Sequence, residues 1–414
     1  MVGSRERAPM RSPGVFRYRG FTLLWVARLA AGFGFQMQAL AVTWLIYNLT
    51  GSVLDLGLVG LAQFLPAIGF GLFAGQVADR YDRRRVLFAC YAVEFACAGT
   101  LLVLTLTGAS SSARILALLV VFGAARTFEM PTASALLPTL VPRTQFPQAA
   151  AWNASVNKMA SILGPVLGGF LFITGAPVVF AMTAGLITIA ATLVAMIPAI
   201  GGGGDRRAMT WASLVAGIAF IRRQRVVLGA ISFDLFAVLL GGASALFPVY
   251  ARDILGVGSW GLGLLRSAPA VGGLAMSIAL AHRPLAGRLG ATLFATIAVF
   301  GAATIVFGLS THFILSLAVL AILGAADMIS VVIREALVQL STPDEMRGRV
   351  NAIDSIFVGT SNQLGQFESG VTAAYLGTVP SVVLGGIGTL IVVTLWARWF
   401  PGLRRFDHLD SGAL

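Results

Sequence analysis

The stretch Gly75-Gln-Val-Ala-Asp79-Arg80-Tyr81-Asp82-Arg83-Arg84-Arg85-Val86, "GQVADRYDRRRV", places six charged side chains in seven consecutive residues. Only 11% of the chain is charged, and both flanks of this stretch are apolar. Charge gathered into one short break between oily segments marks a loop at a membrane surface. The rest of the composition agrees. Of 414 residues 57% are hydrophobic, 48 are glycine and the mean hydropathy is +0.87. A soluble chain of this length carries about a quarter charged residues.

Apolar segments long enough for a spanning helix, which needs about 20 residues, recur along the whole chain. They cover 21–48, 55–78, 84–108, 113–140, 147–174, 177–199, 226–250, 261–281, 289–310, 313–340, 350–376 and 379–400. The predicted fold is an all-α membrane protein with twelve spans. The basic N-terminus precedes an apolar run longer than a signal-peptide core, with no clear small-residue cleavage site after it, so this run is read as the first span.

The net charge of +12 comes from 28 arginines and one lysine, Lys158. Arginines fall in alternate gaps: Arg80, Arg83, Arg84 and Arg85; Arg143; Arg206, Arg207, Arg222, Arg223 and Arg225; Arg283 and Arg288; Arg347 and Arg349. The tails add Arg5, Arg7, Arg11, Arg17 and Arg19 at one end, Arg404 and Arg405 at the other. The opposite gaps offer little beyond Arg252 beside Asp253. The positive-inside rule therefore predicts cytoplasmic termini. A nucleic-acid partner would need these cations gathered on one soluble module, and none is expected. Trp25, Trp44, Tyr47, Trp260, Trp396 and Trp399 fall near predicted span ends and are expected to form an interfacial belt.

The longest polar break, Gly201 to Arg225, opens with four glycines and continues into a short amphipathic segment, Trp211 to Ile221, expected to lie along the membrane surface. It divides the chain into an N-terminal six-span bundle (1–199), a linker (200–225) and a C-terminal six-span bundle (226–414). The halves echo one another. "FGAARTFEMPTASALLPTLVP" (122–142) and "LGAADMISVVIREALVQLSTP" (323–343) align without gaps at an offset of 201, with six identities. Two halves in parallel repeat are a recurrent transporter plan.

The order glycine, three residues, Asp-Arg, spacer, acid, then basic residues resembles the signature between spans 2 and 3 of the major facilitator superfamily. Gly75, Asp79, Arg80, Asp82, Arg83 and Arg84 match it position by position. The resemblance covers essentially the whole chain and implies a gate. Asp79 would meet the positive N-terminal end of span 11, near Val350 to Asp354, and the arginines would tie both halves together on the cytoplasmic face. Gly71 and Gly75, four residues apart, would let span 2 approach a neighbour closely. A plain topology anchor is the alternative reading of these charges. In span 5, "ILGPVLGG" (162–169) is similar to the exporters' G-P-x-x-G-G element. Pro165 would kink the helix, while Gly164, Gly168 and Gly169 would allow tight packing. The opening span, "ADRYDRRRVL" and "PDEMRGRV" are similar to the branch of enterobactin and macrolide exporters. The second-half copy of the signature, around "ALAHRPLAGRLG", lacks the aspartate, so asymmetric gating is expected.

Ionisable residues inside a bilayer cost about 2.5–3.5 kcal/mol each on insertion scales and therefore face a cavity or a partner. Asp234 and Asp327 lie well inside their predicted spans, 8 and 13 residues from the nearest end, with no basic residue one turn away. They are the first candidates for proton coupling or cationic-substrate contact, followed by Glu368 and Glu94. Arg126 and Glu129, three apart, either neutralise each other or belong to an arginine motif that resembles the one in span 4 of proton antiporters. Arg28 could snorkel; Arg334 and Glu335 read as structural. Arg28, Gln36, Gln38, Asn153, Asn157, Lys158, Asn362, Gln363 and Gln366 are the polar groups expected along a central cavity. One proton entering down a potential of about 150 mV supplies roughly 3.5 kcal/mol, enough for about a 300-fold solute gradient.

Other chemistries are not expected. A Walker A loop needs Gly-Lys-Ser/Thr, and the one lysine sits in "NASVNKMA". "GVGSWG" (256–261) fits G-x-G-x-x-G but has no strand before it. His282, His312 and His408 are scattered, and Cys90 and Cys97, about 10 Å apart along one helix, cannot pair. Neither cofactor nor metal nor catalysis is expected. The chain reads as a monomeric proton-coupled antiporter of a bacterial inner membrane, exporting small lipophilic or amphipathic molecules of drug or siderophore type. A facilitator or symporter importing a metabolite is the alternative within transport. A membrane sensor or assembly factor that keeps the fold without turnover is the alternative outside it.

Overall fold

The computed structural model describes residues 14–198, 211–283, 285 and 287–404. The first tail arginines, the tetraglycine, Arg206, Arg207, Arg405 and His408 lie outside them. Helices α1 (Arg19–Thr50), α2 (Val53–Arg80), α3 (Arg83–Leu106), α4 (Ser112–Leu136), α5 (Phe146–Phe172) and α6 (Ala176–Ala195) form the first bundle. A connecting helix, α7 (Trp211–Arg223), leads to α8 (Arg225–Gly241), the one-turn α9 (Phe247–Val249), α10 (Gly258–His282), α11 (Leu289–Leu309), α12 (Phe313–Leu340), α13 (Asp344–Leu376), α14 (Thr378–Trp399) and the short α15 (Pro401–Arg404). Local chemistry sets several boundaries. The Ser52 hydroxyl accepts from the Asp55 amide at 3.2 Å and the Asp82 carboxylate from the Arg84 amide at 3.0 Å, capping α2 and α3. Gly51, at φ 61°, ends α1 in the left-handed conformation that other residues avoid.

Among the described residues eleven segments are long and apolar enough to cross a membrane; α13 completes the set of twelve long helices. At 33 residues α13 is long enough, but Asp344, Glu345, Arg347, Arg349, Asp354 and Glu368 make it less apolar. The predicted seventh span, 226–250, is interrupted. Helix α8 breaks at Gly242, and the chain continues through a 3-10 turn, α9 and a π turn (Tyr250–Ile254).

The two halves pair their helices alike. In the first, α1 packs on α5 and α6, α2 on α4, and α3 on α4 and α6. In the second, α8 packs on α13 and α14, α10 on α12, and α11 on α12 and α14. The bundles meet along two related seams, α2 on α13 and α5 on α10. Both seams are glycine contacts. A Cβ on Gly57 would lie 2.9 Å from the Gly370 Cα, and one on Gly169 would lie 2.5 Å from the Ser259 carbonyl oxygen. Only a hydrogen fits there.

These contacts lie toward one face. Around them Tyr47, Leu56 and Val249 pack together, and the Tyr47 hydroxyl donates to Asp253. The Arg252 guanidinium reaches the Tyr47 carbonyl at 3.2 Å and lies over its ring. At the other face, which carries the α2–α3 turn, the seam helices separate. Gly69, Gly71 and Gly75 on α2 and Gly359 on α13 have open space where a Cβ would stand. The molecule is closed at the first face and open at the arginine-rich one.

Three expectations need correction. Close packing at Gly71 and Gly75 is not present, because that end of α2 has left its neighbour; Gly57 and Gly60 hold the contact instead. The segment Trp211–Ile221 does not lie free along a surface. It docks on α13 and α8, with Gly217 against Ile353 and Ile221 buried. The aromatic belt is partial, since Trp44 and Trp396 are buried in core clusters and Tyr47 in the closed face.

Gly169→Ala should lower stability by about 1–3 kcal/mol, the usual cost of overpacking. Gly75→Ala should be neutral or stabilising by about 0.5–1 kcal/mol through helix propensity. Thermal unfolding midpoints of the two purified variants check this pair, and equal shifts would contradict the seam.

Candidate functional site: a central cavity between the bundles

A cavity of about 660 Å³ lies between the bundles. It has the volume of a small-molecule site. From α1 it takes Phe35, Gln36 and Thr43; from α2, Gln63; from α5, Lys158, Ser161 and Pro165. The second bundle supplies Asp234, Arg266, Phe300, Asp327, Arg334, Asn362, Gln363 and Gln366, among others. Gln36, Lys158, Asn362, Gln363 and Gln366 thus line the cavity.

The remaining polar candidates do not. Arg28 donates to the Asn153 side chain at 2.5 Å, tying α1 to α5 within the first bundle. Gln38 is buried with its carbonyl oxygen unpartnered, and Asn157 is exposed off the cavity wall. Helical phase separates them: Gln36 and Gln38 are two residues apart and face different sides. Lining residues the sequence reading passed over include Arg266 and Gln63. Both sit inside predicted spans, so the criterion that selected Asp327 would have found Arg266.

Asp234 does not lack a basic partner. Arg334 of α12 places Nε 3.6 Å from its carboxylate, an ion pair without a hydrogen bond, and donates through its terminal nitrogen to Asp354 of α13, forming an Asp–Arg–Asp triad across three helices. Asp234 and Arg334 are 100 residues apart in sequence, so spacing alone could not reveal the pair. Asp327 has no hydrogen bond or ion pair among the described residues. It lines the cavity and a small recess of about 10 Å³ with Asp234, Thr296 and Ser330.

The other acids lie off the cavity. Glu94 is buried in α3 with both carboxylate oxygens unpartnered, near the similarly unpartnered Tyr91 hydroxyl. Arg126 donates to Glu129 one turn along α4 and stacks over the Phe35 ring at 4.4 Å. Arg126 therefore touches the cavity only through the Phe35 wall. Glu368 accepts from the Thr372 hydroxyl at 2.7 Å.

In the charged loop, Asp79 lies 3.8 Å from Arg83, which also donates to the Ala78 carbonyl at 3.1 Å. Arg84 reaches the Ile197 carbonyl beyond α6 at 2.8 Å, and Arg85 pairs with Asp82 at 3.7 Å. Among the described residues the expected contact of Asp79 with the start of α13 is absent, and no arginine of this loop bonds the second bundle. Every bond found here stays within the first bundle because the bundles stand apart at this face. In α5, a Cβ on Gly164 would lie 2.6 Å from the Gln36 Cβ and one on Gly168 3.0 Å from the Met37 Cα. Pro165 offers its carbonyl side to Gly263 across the seam.

Twelve long helices in two matching bundles, with a polar cavity between them closed at one face, define a transporter of the major facilitator superfamily. The chain belongs to the transmembrane secretion effector family, whose model matches residues 9–413. It is 28% identical to the enterobactin exporter EntS of Escherichia coli O1:K1 over 402 residues, 93% of each chain. EntS of Shigella boydii serotype 18 matches at the same identity. Among solved structures, a bacterial homolog of the human lysosomal transporter Spinster superposes with a TM-score of 0.74 at 14% identity, covering 94% of this chain and 98% of that one. The nucleoside transporter NupG gives 0.72 at 13%, covering 92% and 99%.

Arg334→Ala would strand the buried Asp234 carboxylate and release the half-buried Asp354, and loss of one partner of a buried pair costs about 3–5 kcal/mol. A large drop in the thermal midpoint of the purified protein is expected; an unchanged midpoint would mean the triad carries no stability.

Proposed function

We propose that this chain is a proton-coupled antiporter that exports small amphipathic molecules by alternating access, with both termini and the arginine-rich face cytoplasmic. The observation that carries the reading is the cavity, which lies between two pseudo-symmetric bundles joined at one face and parted at the other. With that orientation the structure is inward-facing, ready to receive a solute from the cytoplasm or inner leaflet. Rocking of the bundles about the glycine seams would expose the same cavity outside. The EntS relatives support export over import, and EntS's own solute suggests the siderophore type for this chain.

Asp327 is our candidate for the proton carrier. It is the carboxylate on the cavity wall that makes no hydrogen bond or ion pair among the described residues. Asp234, held by Arg334, is assigned to a structural and switching role. Asp79 and the loop arginines would form the cytoplasmic latch in the outward-facing state, when the start of α13 comes within reach of the α2 terminus.

Everted vesicles test the direction. Proton-driven uptake of substrate into everted membrane vesicles is expected, and accumulation in right-side-out vesicles under an inward proton gradient would overturn export. Asp327→Asn should abolish proton-driven transport while leaving solute exchange, a loss of at least tenfold in gradient-driven flux. Flux that still follows the imposed pH gradient would remove the assignment. Asp79→Asn should weaken cytoplasmic closure by about 1–2 kcal/mol, the size of a partly buried charge–helix interaction. A cysteine at Gly359 should then label faster from the cytoplasmic side; unchanged labelling and transport would leave Asp79 without a latch role.

A further inference from the structure

Cations in the interior turns of the spanning helices have bonded partners, with one exception. Arg28 bonds Asn153, Arg126 bonds Glu129, and Arg334 bonds Asp354 beside Asp234. The exception is a pair on the cavity wall. Lys158 of α5 and Arg266 of α10 line the cavity, and neither side chain makes a hydrogen bond or ion pair among the described residues. Lys158 is also the one lysine in the chain.

Their placement follows from the seam. The Ser267 hydroxyl donates to the Ile162 carbonyl at 2.6 Å, and the Ser259 hydroxyl to the Gly169 carbonyl at 3.0 Å. Helices α5 and α10 therefore run antiparallel in fixed register. Lys158 lies one turn from Ile162, and Arg266 precedes Ser267. In this register the two cations stand about one turn apart on facing helices, one on each bundle, and both line the cavity. A charge without a bonded partner among spanning helices is costly. Asp327, the cavity acid without a hydrogen bond or ion pair among the described residues, lines the same cavity within electrostatic range of Lys158. One carboxylate cannot balance both cations. The same cavity wall carries the rings of Phe35, Phe247 and Phe300 among its polar groups.

We propose that Lys158 and Arg266 together receive the anionic group of the transported solute, whose apolar body lies against the phenylalanine walls. The substrate class is then an acidic amphiphile, carrying a carboxylate or an equivalent oxyanion, and not an organic cation. This deepens the exporter reading and rests on it for the word "transported". An anion held by both residues would bridge the two bundles.

Three probes sharing one fluorophore test the charge preference: anionic dansylglycine, neutral dansylglycinamide and cationic dansylcadaverine. They are titrated against the purified full-length protein in phosphatidylcholine nanodiscs. Dansylglycine should bind at least tenfold tighter than the amide, and dansylcadaverine weakest. Lys158→Gln and Arg266→Gln should each cost about tenfold in dansylglycine affinity, about 1.4 kcal/mol, and leave the amide unchanged; Lys158→Arg should retain the preference. Displacement of dansylglycine by added phosphatidylglycerol would identify an anionic lipid as an occupant of the same site. Equal affinities for dansylglycine and its amide, tighter dansylcadaverine, affinity unmoved by both substitutions, or no saturable dansylglycine binding at millimolar concentration would each overturn the proposal. The wild-type comparison needs no variant, so misfolding cannot shield it. Binding is read without turnover: anion preference in a protein that moves nothing would sink the exporter reading and leave this one standing.

Discussion

The absence of a side chain at four glycines governs this structure. At Gly57 against Gly370 and at Gly169 against Gly263, helices of opposite bundles touch backbone to backbone, with no room for a Cβ. In a bilayer, where lipid tails satisfy apolar side chains as well as protein does, such close packing is a main source of helix association. Because the two contacts are related by the pseudo-symmetry of the halves, they hold the bundles together at one face and leave the other free to part. The cavity, its open mouth and the idle latch around Asp79 all follow from where those glycines lie.

The buried charges divide by location. Within each bundle they have polar partners on other helices or one turn away: Arg28 is hydrogen-bonded to the neutral Asn153, while carboxylates compensate Arg126 (Glu129) and Arg334 (Asp234 and Asp354). On the cavity wall Lys158, Arg266 and Asp327 are left open. A bilayer protein tolerates uncompensated charge where water, a proton or a solute reaches it, and that is the part of the molecule that a transport cycle would use. Glu94, buried with both carboxylate oxygens unpartnered, departs from this division. We have no physical account of why it is kept there.

The fold was legible early because its determinants are local. Twenty-residue apolar runs, alternating arginine gaps and a 201-residue internal offset need no knowledge of neighbours. The site was legible in part. Gln36, Lys158, Asp327, Asn362, Gln363 and Gln366 were found as polar residues within apolar spans, and Arg266 was open to the same reasoning. Gln38, Asn153 and Asn157 were misplaced because a shift of one or two residues turns a side chain by a large fraction of a helical turn. The partner of Asp234 was invisible, since Arg334 reaches it across the bundle.

By itself the sequence determined that the chain crosses a membrane as twelve helices in two related halves, and which gaps carry the charge. Those properties are sums over consecutive residues, set by the cost of placing polar groups in hydrocarbon. Only the tertiary structure decided which charges are neutralised, which face is closed and which cations stand free at the seam. Each of those depends on the rotation and spacing of helices distant in sequence, and a guanidinium's partner is chosen within a few ångströms.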